Sequence, residues 1–309
     1  MDNANQKVFV VFNPKAGNAE GSDAMRSTLA GHFTSPRWIS EIYETTGKED
    51  LAAICRAACE RGVLLVIAVG GDGTVVGVAN GLVNSKVPLG IVPLGTGNVL
   101  ARVLGVPLKV DEALDMLTGD HDVLEMDALK VEDRYLFSNV SVGLSPQVMK
   151  DTKSAQKERL GLLAYLWTML KESRLFKLRR YTLTIDGQKQ RINTAEIMIS
   201  NTTLLEAPPH VWGPPETLTD SQLEVYVVMA HTLGDYVRLV WDVLRHGGQS
   251  AAKFDHWTGQ HSIRIDTDQG AQLVQGDGEV IGHTPVEIQI VPKSLRVIMP
   301  KPKAVEETA

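Results

Sequence analysis

Two short runs of this sequence, residues 8–12 (VFVVF) and 63–69 (VLLVIAV), are apolar throughout. Strands covered by helices on both faces have this composition, whereas strands with one wet face alternate apolar and polar residues. Helical stretches separate these runs and similar ones as far as about residue 117. Because strands that alternate with helices form parallel sheets with crossover connections, the N-terminal part is predicted to be a doubly wound α/β domain.

After about residue 120 the pattern changes to many strand-like segments without regular crossover helices. Asp-Gly pairs at 186–187 and 277–278 are strong hairpin signals. A mostly antiparallel, β-sandwich-like C-terminal domain is therefore predicted, interrupted by two helices near residues 153–176 and 233–245. The predicted boundaries are 1–122 and 123–300, with the last strand able to return to the first domain and a tail at 301–309.

The net charge, the length of the apolar runs and the first residues argue against several classes of protein. A net charge of -6 argues against a protein that coats nucleic acid, because binding to a phosphate backbone requires a basic face. No apolar run approaches the roughly 20 residues of a transmembrane helix. The first residues, MDNANQKVFVVFN, lack the features of a secretory signal, so a cytoplasmic protein is expected.

Three glycine-containing loops each follow a predicted strand of the first domain: NPKAG at 13–17, GGDGT at 70–74 and PLGTGN at 93–98. In an open parallel sheet such loops emerge together at the carboxyl edge, where ligands bind. Glycine allows the backbone to approach a phosphate closely, and a helix that starts near Thr74 offers unpaired N–H groups to an anion. The alternative is that the glycines only make tight turns.

Several other nucleotide and hydrolase sites are disfavoured. No Asp or Glu lies between Thr74 and Lys109, so the acid that binds the ribose in a dinucleotide fold is missing. The motifs GxxxxGK[ST], GxSxG and HExxH are also absent from the sequence. Recognition of a polyphosphate is therefore assigned to the glycine loops themselves.

With GDGE at 276–279 added, the ordered motifs NPKAG, GGDGT and PLGTGN resemble the diacylglycerol kinase catalytic-domain superfamily, which includes sphingosine kinases and bacterial lipid kinases. The resemblance covers nearly the whole chain; NAD kinases and phosphofructokinases are more distant relatives. It implies a nucleotide-binding domain (1–122), a lipid-substrate domain (123–300), and transfer of the γ-phosphoryl group of ATP, with Mg²⁺, to a lipid hydroxyl. It also implies that ATP and Mg²⁺ lie in the cleft between the domains.

The resemblance assigns roles residue by residue. Asp72 is expected to bind Mg²⁺ or to act as the base, Asp277 is the other candidate base, and Glu279 is expected to contact the nucleotide or its metal. Asp220, in an acid cluster that is only partly retained (DSQLE, 220–224), is a second candidate metal ligand. The candidate nucleotide-binding residues are Asn13, Lys15, Gly71, Gly73, Thr74, Gly95, Thr96 and Asn98.

The sequence departs from the family pattern at two positions near the loops. Relatives often have a glutamate where this chain has Gly77 and an aspartate where it has Val99. The loss of two acids could change acceptor recognition or metal geometry. Two other functions therefore stay open: a kinase of a soluble nucleotide or sugar, and a catalytically silent lipid-binding regulatory protein.

Residues 150–180 hold nine basic residues and three acids, although the whole chain is acidic. Apolar and aromatic residues share this segment, a composition suited to an anionic membrane surface. The alternative is an amphipathic helix that packs on the β-rich domain. The expectation is a cytoplasmic, peripherally membrane-associated protein that meets its lipid through 150–180, and a homodimer is left open.

Overall fold

The computed structural model describes residues 6–17, 22–33, 38–144, 177–202, 215–230 and 254–301, together with 146, 232, 234–235 and 238. The chain divides into two units, one formed by Met1–Met126 with Lys293–Ala309 and the other by Asp127–Pro292. The two predicted helices near 153–176 and 233–245 lie outside the described residues, apart from positions 234, 235 and 238.

The first unit alternates strands and helices in the predicted manner. Its elements are β1 (Gln6–Phe12), α1 (Ser22–His32), β2 (Trp38–Glu44), α2 (Leu51–Glu60), β3 (Leu65–Gly70), α3 (Asp72–Leu82), β4 (Leu89–Pro93), α4 (Val99–Val103) and α5 (Val110–Thr118).

The strands of the first unit form a parallel sheet in the order β2-β1-β3-β4. Every residue of β3 and β4 is buried, which explains their uninterrupted apolar sequence. Helix α2 packs on α3, and α1 packs on α5. The first pair approaches closely because position 81 is glycine; a Cβ there would lie 2.6 Å from the carbonyl oxygen of Ala52.

The second unit consists mainly of antiparallel strands. The remaining strands are β5 (His121–Val131), β6 (Arg134–Leu136), β7 (Asn139–Gly143), β8 (Arg179–Ile185), β9 (Gln188–Thr194), β10 (Glu196–Ser200), β11 (Leu223–Val228), β12 (Phe254–Gly259), β13 (Ser262–Asp266), β14 (Leu273–Gly276), β15 (Glu279–His283) and β16 (Val286–Pro300).

Strands β12-β11-β10-β7-β14-β15 form one antiparallel sheet, and β16, β13, β8 and β9 follow each other in another. Alternate residues of both sheets, among them Val142, Ile197, Leu183 and Ile263, share one apolar core. Strand β16 gives its first residues to this unit, while Val297 pairs in parallel with Leu89 of the first unit. The predicted α/β domain and β-sandwich-like domain are thus confirmed.

Candidate active site

Four parallel strands of the first unit end at Phe12, Glu44, Gly70 and Pro93, and the loops that follow them lie at one edge of the sheet. Three of these loops are the predicted glycine loops. The fourth, residues 45–50, was missed by the sequence reasoning. A polar, glycine-containing stretch directly after a predicted strand is the signal that could have identified it.

Gly71 and Gly95 let two of the loops touch backbone to backbone. A Cβ on Gly95 would lie 2.7 Å from the Cα of Gly71, and the N–H of Leu94 donates to the Gly70 carbonyl at 2.8 Å. These two glycines therefore serve close loop packing. This finding supports the alternative that these two glycines serve the structure of the loops. The loops themselves still lie at the edge of the sheet where ligands bind.

Asp72 holds the third glycine loop in place. Its Oδ1 accepts the N–H of Val99 at 2.6 Å, and its Oδ2 accepts the N–H of Asn98 at 3.0 Å. The carboxylate thereby caps α4 from outside that helix. A Cβ on Gly97 would lie 2.6 Å from Asp72 Oδ2, so a side chain there would displace the carboxylate.

Asn98 stabilises the turn that it ends. It adopts a left-handed conformation, with φ of 47°, which asparagine tolerates better than most residues. Its side chain bonds both backbone groups of Gly95, accepting from the N–H at 2.9 Å and donating to the carbonyl at 2.6 Å. The buried asparagine thus fixes the loop, and Thr96 and Gly97 remain exposed at its tip.

Asn13 connects the first loop to the second. Its Nδ2 donates to Thr74 Oγ1 at 3.2 Å, and its Oδ1 accepts the N–H of Lys15 at 3.0 Å. Its own N–H donates to the Val69 carbonyl at 2.9 Å. Asn13 and Thr74, both predicted nucleotide-binding residues, are therefore brought together at the start of α3.

Two cations flank these loops. Lys15 is exposed, and its Nζ donates to the Thr46 carbonyl at 3.3 Å. Arg102 was missed by the sequence reasoning; its Nε donates to the Gly97 carbonyl at 2.8 Å. Its place in the first helix after a glycine loop is the signal that could have identified it.

Glu49 orders the loop at 45–50, in which the Thr46 carbonyl accepts the hydrogen bond from Lys15. Its carboxylate accepts the backbone N–H groups of Thr46, Gly47 and Lys48 at 2.6, 2.9 and 2.9 Å. The bond from Thr46, followed by the other backbone bonds of this loop, lowers the pKa of Glu49 to about 2. The loop therefore keeps its anionic anchor across the neutral pH range.

The start of α3 is open to an anion. The helix is capped at its N-terminus by Gly71 without a side-chain hydrogen bond, and Gly73 in its first turn is exposed, with open space around its Cβ position. Unpaired N–H groups and the positive end of the helix dipole favour a phosphate at such a position.

In the second unit, Asp277 closes the β14–β15 hairpin and ties it to another segment. Its carboxylate accepts the N–H groups of Phe137, Ser138 and Asn139 at 2.7, 2.8 and 3.2 Å and the Ser138 hydroxyl at 2.5 Å. Burial raises the pKa of Asp277, and these four hydrogen bonds act in the opposite direction without cancelling the rise. The Glu279 side chain is exposed and has no hydrogen bond or ion pair within the described part of the chain.

Asp220 lies in a group of acids, one of which the sequence reasoning missed. Asp127 is fully buried and accepts the Ser221 N–H at 2.7 Å, and Glu224 contacts His256. The pKa of Asp220 is raised, mainly by burial and further by the negative charges of Glu224 and Asp127. An aspartate within an otherwise strand-like, half-apolar run was the available signal for Asp127.

A metal site is not assembled by these residues. Across the described ranges, no three His, Cys, Asp or Glu side chains are grouped so that they could hold a metal ion. Asp72, the other predicted metal ligand, uses both carboxylate oxygens on backbone N–H groups. Magnesium binding by Asp72 and Asp220 therefore stays a prediction.

Other sequence predictions meet the structure in different ways. Gly77 packs against α2; a Cβ there would lie 3.1 Å from Leu51 Cδ1, so a glutamate would require Leu51 to move. Val99 donates its N–H to Asp72.

Residues 150–176 of the basic segment lie outside the described residues. Within the described part of the chain, no helix is long and apolar enough to cross a membrane.

Comparisons with known proteins agree with this architecture. The family model described as the diacylglycerol kinase catalytic domain matches residues 7–131, and that described as the YegS C-terminal NAD kinase beta sandwich-like domain matches 138–299. The diacylglycerol kinase of Bacillus subtilis (strain 168) is 26% identical over 308 residues, with 97% of this chain and 98% of the relative covered.

Solved structures are similar over nearly the whole length. A crystal structure of a diacylglycerol kinase from Bacillus anthracis str. Sterne matches with a TM-score of 0.73 at 26% identity, covering 96% of this chain and 98% of the other. Yeast NADH kinase matches at a TM-score of 0.51 and 13% identity, covering 96% and 83%, and shares the fold alone. The two consecutive family matches, which together span most of the sequence, show that this chain belongs to the diacylglycerol kinase family of lipid kinases.

Proposed function

We propose that this protein transfers the γ-phosphoryl group of ATP to the hydroxyl of a lipid at a membrane surface. The observation that carries the proposal is the junction of three glycine loops at the carboxyl edge of the parallel sheet. Asn13 links the first two loops, and Asp72 links the second to the third. Such a rigid, glycine-lined junction suits a polyphosphate, which needs closely approaching backbone N–H groups.

The phosphates of ATP would be received by the open start of α3 and by the exposed tip of the third loop. Gly73 and Thr96 supply polar groups that are exposed. Lys15 and Arg102 supply positive charge, each held by a backbone carbonyl. Phosphoryl transfer depends mainly on positioning and charge neutralisation, and these residues serve both needs.

In the reaction, the acceptor oxygen attacks the γ-phosphorus, the bond to the bridging oxygen breaks, and ADP leaves with the electron pair. The acceptor proton must pass to a base. We assign that role to Glu279, because it belongs to the GDGE motif that resembles the family pattern and its carboxylate is exposed. Asp277, whose carboxylate accepts four hydrogen bonds, is assigned to hold the loop at 137–139.

Asp72 is proposed to act in the same site as a fixed anion that keeps Asn98 and Val99 in register with the start of α3. Mg²⁺ usually binds through substrate phosphates, waters and one or two carboxylates, and when bound it supplies charge neutralisation. The described residues do not fit a preassembled site for it, so no step of the reaction is assigned to the metal.

A lipid acceptor is supported by the relatives, of which one is named a diacylglycerol kinase, and by the basic, aromatic segment 150–180 of the sequence. The acceptor class proposed is a lipid with a free hydroxyl, such as a diacylglycerol or a sphingoid base. Association with the membrane surface from one side, in the cytoplasm, belongs to the same proposal.

The test is transfer of radiolabel from γ-labelled ATP with Mg²⁺ to a panel of acceptors in mixed micelles: diacylglycerol, sphingoid base, phosphatidylglycerol and polyprenol. We expect label in a lipid product. Glu279→Gln should reduce turnover about 100-fold or more because it removes the proton acceptor. Glu287→Gln, an exposed glutamate on β16 of the same unit, is the matched control and should stay within about twofold.

A nucleoside and a sugar are added to the panel as soluble acceptors, and label that appears only in one of them would replace the lipid by a soluble acceptor. ATP binding without transfer to any acceptor would favour a silent lipid-binding protein. Equal turnover in wild type and Glu279→Gln would reject Glu279 as the base while leaving the kinase assignment intact.

A further inference from the structure

The hairpin of β8 and β9 concentrates positive charge in an acidic protein. Residues 177–194 contain five basic residues and one acid, whereas the chain as a whole has a net charge of -6. The single acid, Asp186, is turned toward the protein and accepts the backbone N–H groups of residues 260–262. The five basic residues are Lys177, Arg179, Arg180, Lys189 and Arg191.

Two of these cations project from the outer strand of the hairpin. Lys189 and Arg191 are exposed and lie in register with Thr184 and Thr182 of β8. Neither side chain has an ion pair or hydrogen bond to any residue that the structure describes. In contrast, Arg264 on the neighbouring strand β13 is paired with Asp266. The positive charge of β9 is therefore available to a partner.

A groove runs beside this charge. Among the described residues, strand β9 ends its sheet and β12 ends the other sheet of the unit. Between them lies a cavity of about 530 Å³. It is lined by Ile185, Asp186, Gln188, Lys189, Gln190, Trp257 and Thr258.

Trp257 gives the groove an aromatic wall. It is half-buried, and one side of it packs on the apolar core of the unit. Tryptophan next to lysine and arginine is typical of surfaces that meet lipid headgroups, because the ring is amphipathic and the cations attract anionic lipids. Strand β12 also carries one exposed acid, Asp255, which leaves the basic residues in excess.

We propose that the outer face of β9 and the adjoining groove at Trp257, here called the β9 surface, form a docking site for an anionic lipid bilayer. The proposal rests on the proposed lipid-kinase function and extends the membrane contact beyond residues 150–180 to a second part of the chain. Charge complementarity favours an anionic bilayer as the occupant. Arg180 contacts Asp268, and the other four basic residues of 177–194 have no acidic partner among the described residues.

Two alternative roles of the β9 surface would have different consequences. Lysine and arginine on an edge strand also prevent edge-to-edge pairing between protein molecules. An extended peptide could add to the outer edge of β9 as another strand. Neither role requires an anionic bilayer, so vesicle binding separates both of them from the proposal.

The experiment is cosedimentation of the full chain, without ATP, with vesicles of mixed phosphatidylglycerol and phosphatidylcholine and with vesicles of phosphatidylcholine alone. We expect binding only to the anionic vesicles, decreasing as salt is added. The variant Lys189→Glu/Arg191→Glu should bind about tenfold or more weakly. The matched control Lys7→Glu/Lys86→Glu changes two exposed lysines of the first unit and should stay within about twofold.

Unchanged vesicle binding by the Lys189→Glu/Arg191→Glu variant overturns the proposal, and self-association of that variant with unchanged vesicle binding points to edge protection. The same loss of binding in the control pair also overturns it, because the attraction would then be diffuse. If the charge-reversed variant does not fold, Lys189→Gln/Arg191→Gln is to be used and should show a smaller loss. Phosphoryl transfer to a short-chain lipid that dissolves without vesicles should be the same in the wild type and in the β9 variants. This result separates a loss of vesicle binding from a failure of the kinase function.

Discussion

The two Asp-Gly turns of the second unit have the same backbone and different surroundings. Asp186-Gly187 and Asp277-Gly278 both have φ of 47° and 86° and both close two-residue hairpins. Each aspartate accepts a run of three backbone N–H groups, from 260–262 in one case and from 137–139 in the other. The shared geometry is the form of turn that Asp-Gly prefers.

The next residue differs, since Gln188 follows one turn and Glu279 follows the other. The two hairpins are thus built alike, and only the second presents a carboxylate beside the turn. This difference teaches that one acid of a motif can be bound by backbone N–H groups while its neighbour stays exposed. The turn at 186–187 therefore serves as an internal control for the turn at 277–278.

The largest effect is expected from comparing Asp277→Asn with Asp186→Asn. Asparagine keeps the left-handed turn but cannot accept all the donors that the carboxylate accepts. Asp277→Asn should lower the free energy of unfolding by about 2 to 4 kcal/mol and abolish most turnover, because four donors depend on it. Asp186→Asn should cost about 1 to 2 kcal/mol at its more exposed site. Urea unfolding and turnover per folded molecule measure both.

The comparison is broken if Asp186→Asn loses turnover as severely as Asp277→Asn. The turn at 277–278 would then have no special link to the chemistry, and both variants would act through the stability of the unit.

An intermediate effect on stability is expected at Asp72, an Asp-Gly pair at the start of a helix. Asp72→Asn leaves the N–H of Asn98 or Val99 without its acceptor, so the third glycine loop shifts and turnover should be lost. The stability cost should be only about 1 kcal/mol, the usual cost of losing a cap. Activity assays and thermal unfolding measure the two quantities.

Ser85→Ala is the control for Asp72→Asn. Ser85 lies in the turn before β4, where its Oγ accepts the Val87 N–H at 3.1 Å, and its loss should give a similarly small stability change with normal turnover. Near-normal turnover of Asp72→Asn would remove Asp72 from the proposed site.

The smallest effect is expected at Glu49, which binds three backbone N–H groups of its own loop. Its pKa of about 2 lies below the ordinary value of 4.5, so the folded protein holds this carboxylate ionised where the unfolded chain binds a proton. Its contribution to stability is complete above pH 4.5 and is lost as the pH falls toward about 2. NMR of the Glu49 carboxyl carbon should show no titration step near pH 4.5, and a midpoint near that value would contradict the loop geometry.

Much of the fold could be predicted from the sequence because it depends on local preference and periodic burial. The apolar runs of β1 and β3 identified a parallel sheet, and the changed rhythm after residue 120 identified an antiparallel unit. The glycine loops and both Asp-Gly turns were also recognisable. The loop at 45–50, the buried Asp127 and the role of Arg102 were not predicted, since each depends on neighbours that local pattern does not identify.

The limit of the sequence is clearest at the aspartates. That 277–278 would turn is set by Asp-Gly alone, because few residues other than Asp, Asn and Gly adopt left-handed φ at low cost. That its carboxylate would bind residues 137–139 is set by the pairing of β14 with β7, which joins segments about 140 positions apart. By itself, the sequence determined the sheets, the turns and the loops. Only the tertiary structure decided which carboxylates are consumed by backbone N–H groups and which remain exposed, because strand pairing brings those donors together.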